Sequence, residues 1–174
     1  MPSKSILSET LEAHSNNLRL ASVLRVLARG HDLAASFKEI VGSKSPTAFE
    51  PSLLLLKNKR KLVHSADQLY LAMVRTAVTE SLELTRDYCR QTLQTKALKA
   101  QDWFNVFRLL RNALNHNFQF EFKPDDLKLL PATWRKITIY PEHQGTELTQ
   151  KILPPDVAIE WLAELDTFIS EELQ

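Results

Sequence analysis

The stretch Arg111-Asn112-Ala113-Leu114-Asn115-His116 supplies an arginine and a histidine, the two residue types suited to cutting RNA without a metal. That reaction needs a base for the 2′-hydroxyl proton, an acid for the leaving oxygen and positive charge beside the phosphate. Histidine titrates near pH ~6.5 and exchanges protons around neutrality, while arginine stays charged and grips phosphate with two nitrogens. Five steps along a regular helix turn the two side chains about 140° apart and separate them by roughly 7.5 Å, so they are not same-face neighbours. Arg108, Asn112 and His116, four apart, form one polar stripe, opposite Trp103, Phe107, Leu110 and Leu114, with Arg111 at the boundary. A joint role requires that the helix end or distort near His116, or that a twofold-related copy supply complementary side chains to a shared groove. The second is the expectation.

The six residues resemble the R-x(4–6)-H motif of HEPN ribonucleases, here with four intervening residues and an asparagine straight after the arginine. The resemblance covers the motif and, more loosely, the helical context from about residue 65 to 120. It implies a mainly α, HEPN-like helical bundle that forms a homodimer, with the motif pair facing across the dimer cleft. It also implies a metal-independent, cofactor-free endoribonuclease in which 2′-hydroxyl attack leaves a 2′,3′-cyclic phosphate end. Onto this chain it carries Arg111 as phosphate or transition-state ligand, His116 as proton-transfer residue and Asn112 as a positioning group. Arg108 and Asn115 are further RNA-contact candidates. RNA is the implied partner, and a toxin or defence effector the implied setting, with an antitoxin protein as a further partner class. In some HEPN toxins a tyrosine two residues after the histidine receives nucleotides from the antitoxin; Phe118 occupies that position here, which excludes the modification.

Other readings of the same residues compete with this one. Arg111 and His116 also suit a solvated helix end, where cations interact favourably with exposed carbonyls. The chain would then be a noncatalytic HEPN-like dimerisation or RNA-binding module. A structural subunit that buries the polar stripe against another protein is a third reading. Asn115 suits helix capping better than catalysis, and Arg108 suits solvation as well as RNA contact.

The elements that must hold these residues are mostly helical. Ser8 is the expected cap of a first helix with Leu11, Leu18, Val23, Leu24 and Leu27 inward and Gly30 at its end. A short segment over 31–41 and a Pro/Ser-rich loop over 42–51 follow. Ser65-Ala66-Asp67-Gln68 has the form of a capping box opening a long helix to about residue 93, with Leu69, Met73, Val74, Ala77, Leu84 and Tyr88 as its apolar stripe. Asp102 is the expected cap of the motif helix. Pro124 and Pro131 interrupt helical propagation. Beyond them Ile137 and Ile139 alternate with Thr138 and Tyr140, and a turn over 141–145 leads to Leu148 and Ile152, which predicts a short β-hairpin. After Pro154-Pro155, Asp156 opens a final helix with Ala158, Trp161, Leu162, Leu165, Phe168 and Ile169 inward. The chain thus reads as one domain over 1–174, its core at about 8–120 and its hairpin and final helix an elaboration over about 132–174.

Composition agrees with that class and narrows the chemistry. Three glycines in 174 residues argue against a turn-rich all-β fold. The single cysteine, Cys89, excludes an internal disulfide and an all-cysteine metal cluster, and suits a reducing cytosol. His14, His31, His64 and His143 lack metal-ligand spacing, so no metal is expected. There is no Gly-rich phosphate loop or nucleophile elbow, and no apolar stretch long enough for a signal peptide or for a membrane span of ~20 residues. The net charge of +1 conceals an asymmetry: residues 1–116 hold 17 Lys/Arg against 10 Asp/Glu, and residues 117–174 hold 5 against 11. RNA is therefore expected to approach the first two-thirds, including the basic cluster Lys57-Asn58-Lys59-Arg60-Lys61.

Overall fold

The computed structural model describes residues 3–32 and 58–173 and is mainly helical, with one small antiparallel hairpin. The segments expected over 31–41 and 42–51 lie outside the described residues, apart from His31 and Asp32. The chain forms two compact units, Met1–Asn16 with Val74–Gln174, and Asn17–Met73. Helices α1 (Lys4–Gly30) and α2 (Lys59–Gln91) contribute residues to both. None of the described helices is long and apolar enough to cross a membrane.

Both long helices start earlier than their capping signals predict. Ser3 Oγ accepts the Ile6 N–H at 3.3 Å, so α1 begins at Lys4, while Ser8 lies inside the helix and donates to Asp166 at 2.7 Å. Asn58 Oδ1 accepts the Lys61 N–H at 3.1 Å and opens α2; Ser65 is an exposed residue of its second turn. In each case a side-chain acceptor one or two turns upstream satisfies the orphan amides first. Gly30 ends α1 as expected.

The inward face of α2 also differs from its most hydrophobic reading. Leu69 and Leu84 are exposed, and the buried positions are Leu62, Ala66, Tyr70, Val74, Ala77, Val78, Ser81, Leu82, Thr85, Tyr88 and Cys89. The hydroxyls of Ser81 and Thr85 are buried in the seam with partners: Thr85 donates to the Ser81 carbonyl one turn back at 2.8 Å, and Ser81 meets His14 Nδ1 of α1 at 2.9 Å. On α1, Val23 is likewise exposed, while Ala21 and Ala28 are buried.

In the smaller unit, Ala28, Leu62 and Ala66 form a local cluster, Arg25 and Arg29 both engage Asp67, and the Arg25 guanidinium lies 4.7 Å from the centre of the Tyr70 ring. The larger unit is organised by aromatic rings. After α2 come α3 (Thr95–Ala100) and α4 (Phe104–Asn115); Trp103 is the N-cap residue of α4, and Asp102 is exposed without capping it. Trp103, Phe107, Leu110 and Leu114 are all buried, as their spacing predicts. Phe107 stacks on Trp161 at 4.3 Å and meets Trp134 edge-on at 5.1 Å, and Trp103 packs edge-on against Phe168 at 5.8 Å. The inward residues expected of the last helix, α6 (Pro155–Thr167, continuing as a π-helical turn over Phe168–Glu172), are buried without exception.

Between them lies α5 (Pro124–Leu127), with Pro124 in its first turn, and then the hairpin. The hairpin pairs β1 (Ala132–Trp134) with β2 (Ile137–Ile139), in the register Ala132–Ile139, Thr133–Thr138 and Trp134–Ile137. The expected pairing of 137–140 with 148–152 is thus corrected. A two-residue turn at Arg135 and Lys136, with Arg135 at φ 50°, closes a nearer partner at less entropic cost. Beyond β2 the chain makes a 3-10 turn, Pro141–His143, and Glu147 forms an isolated bridge with Gln119.

Candidate active site

Every residue of the motif lies on α4 or at its end, within the larger unit. The aromatic and aliphatic face of this helix is buried against the tryptophan cluster, which fixes its rotation and leaves Arg108, Arg111 and Asn112 half-buried and Asn115 exposed. The helix ends at His116. This residue is the C-cap, its N–H donating to the carbonyls of Asn112 and Ala113 at 3.0 and 3.1 Å. Asn117 and Phe118 then take left-handed φ values of 54° and 62°, and the Gln119 N–H donates to the His116 carbonyl at 3.0 Å. The chain reverses sharply there and brings Glu121 back to the imidazole, Oε2 lying 3.2 Å from Nδ1.

This contact defines what His116 can do. The carboxylate pairs with the ring when the imidazole is protonated, and the half-exposed ring is open to solvent or ligand. Arg111 is held differently. Its Nη2 contacts Glu83 Oε1 of α2 at 2.5 Å, its Nη1 donates to Asn112 Oδ1 at 2.9 Å, and its buried Nε has no partner among the described residues. The structure therefore joins Arg111 and Asn112 directly, while Arg111 and His116 face different carboxylates.

Arg108, the remaining member of the polar stripe, forms an ion pair with Asp126, whose side chain is only 5% exposed. Asp126 also accepts the Lys123 N–H at 3.0 Å, so Arg108 ties α4 to the first turn of α5. Glu83, Glu121 and Asp126 are the partners that sequence reasoning missed. Glu121 follows His116 by five residues, and only the double left-handed turn brings it into range. Glu83 lies on another helix, and no local pattern links it to Arg111.

Two other polar groups fall outside this constellation. His14 contacts Ser81 and lies 3.4 Å from Glu80, but Ser81 is fully buried and cannot meet a substrate. Burial pushes the Cys89 thiol up to about 11, which keeps it protonated and inert near neutrality. Among the described residues no group of His, Cys, Asp and Glu is arranged to hold a metal ion. No family model, curated protein or solved structure matches the chain.

Proposed function

We propose that the chain is a metal-independent endoribonuclease in which His116 moves protons and Arg111, positioned with Asn112, stabilises charge on the attacked phosphate. The observation that carries this reading is the His116–Glu121 contact at the end of α4, which sets a carboxylate beside a half-exposed imidazole five residues after Arg111. In the reaction, the 2′-oxygen bonds to phosphorus as its proton passes to a base. The bond to the 5′-oxygen breaks, that oxygen takes a proton from an acid, and a 2′,3′-cyclic phosphate is left. One imidazole cannot start in both protonation states, so a homodimer that places a second copy of the helix end across a twofold supplies the other. An effector role in a toxin–antitoxin or defence system fits such an activity.

A second reading rests on the Arg111–Glu83 ion pair. A guanidinium already paired with a carboxylate and an amide suits a scaffold, and the chain would then be a noncatalytic dimerisation or RNA-binding module. One assay separates the two. Purified protein is incubated with mixed RNA in excess chelator, beside His116→Ala and Arg111→Ala, and product ends are analysed. The expected result is cyclic-phosphate ends, with His116→Ala slower by about 10²- to 10⁴-fold, the usual share of a positioned acid or base. Cleavage equal in parent and both variants removes the site assignment, and absence of cleavage in all three leaves the noncatalytic module.

A further inference from the structure

A cleft of about 350 Å³ opens beside Arg111 in the larger unit, lined by the end of α2, by α3 and by the first half of α4. Its rim carries four cations, Arg86, Arg90, Lys99 and Arg108, against two carboxylates, Glu83 and Asp87. Leu98 and Phe104 are its buried apolar wall. Glu83 belongs to the cleft and is also the carboxylate that holds Arg111, so the cleft and the motif share a side chain.

The charges are arranged to receive an anion. Arg86 and Arg90 form i,i+3 pairs with Glu83 and Asp87 that are open to solvent, so their remaining N–H groups stay available. Lys99 is exposed and has no acidic partner among the described residues. A volume of this size falls within the usual range of ligand sites, and an apolar wall beside cations suits a base with its phosphate. We propose that this cleft binds single-stranded RNA, with Arg90 and Lys99 contacting backbone phosphates next to the one held at Arg111. The proposal rests on the ribonuclease reading for its direction of approach, but binding is measurable whether or not the chain cleaves.

The test uses the full chain with His116→Ala as a non-cleaving background and a short fluorescein-labelled single-stranded RNA, read by anisotropy over a salt series. The variant pair Arg90→Gln/Lys99→Gln removes two exposed cations of the cleft, and Arg60→Gln/Lys61→Gln removes two from the basic start of α2. The cleft pair is expected to weaken binding about tenfold and to flatten the slope of log affinity against log salt by about 1.4, two phosphate contacts at ~0.7 each. The α2 pair is expected to change neither by more than about twofold. Equal losses from both pairs, or no loss from the cleft pair, overturn the proposal. Normal binding by the cleft together with no cleavage in the parent chain overturns the ribonuclease reading and leaves this site standing.

Discussion

Arg25 and Arg29 reach one carboxylate, Asp67, from successive turns of α1. Partial burial raises the Asp67 pKa, but hydrogen bonds and charge from Arg29 and Arg25 outweigh it and hold the carboxyl below its ordinary 3.8. A carboxyl depressed in the folded state adds stability above its unfolded pKa of ~3.9, and the gain disappears as pH falls through the lower folded value. Asp67→Asn is therefore expected to lower stability by about 1 kcal/mol at neutral pH, a value already discounted for screening, and by less as the solution is acidified. Urea titrations of parent and variant along a pH series check this, and a gap that stays constant down to acid pH rules it out. At this scale the separation of Arg111 from His116 was legible from helical spacing alone. Their carboxylates were not legible: Glu83 is brought in by tertiary packing and Glu121 by two left-handed residues that are not glycine.

Helix α4 is held by one face of rings and by two ion pairs, Arg111–Glu83 and Arg108–Asp126, of which the second has the more buried carboxylate. Removing Arg108 leaves the buried Asp126 carboxylate with the Lys123 amide alone. Arg108→Ala is expected to cost about 3 kcal/mol in chemical unfolding, because a buried charge loses its counter-ion. A loss below about 0.5 kcal/mol, the level of an exposed pair, would refute the tether. For the same reason Arg108 is a poor reporter of RNA contact, and Arg90 and Lys99 are better ones. Elements were legible where apolar spacing was strong. The α4 and α6 faces follow from bulky residues at helical intervals. Helix starts and the hairpin were less legible because several side chains compete locally for each role: Ser3 and Asn58 cap ahead of Ser8 and Ser65, and β2 has two flanking segments to choose between. The α2 seam was obscured because Ala66, Ala77 and Ser81 are buried while Leu69 and Leu84 are not.

For the molecule as a whole, the two turn residues of the hairpin are paired with carboxylates of α6, while the acidic excess after residue 116 remains. Arg135 contacts Glu160 and Glu164 at 2.8 and 3.1 Å, and Lys136 pairs with Asp156. On the ribonuclease reading, an RNA is expected to approach residues 1–116, where 17 Lys/Arg stand against 10 Asp/Glu. The shared-cleft reading requires a second copy, so light scattering is expected to give twice the chain mass of 20.0 kDa. A monomer that cleaves RNA at the same specific rate across dilution would remove the twofold from the mechanism. The placement of the tryptophans has a practical consequence for such measurements. Trp103, Trp134 and Trp161 are the only three in the chain, all are buried, and all belong to the unit that carries the motif. Indole emission during denaturation therefore reports on that unit and is blind to Asn17–Met73, whereas far-ultraviolet dichroism registers helix in both. Melting curves from the two optical signals, overlaid, reveal whether the units come apart together or in turn.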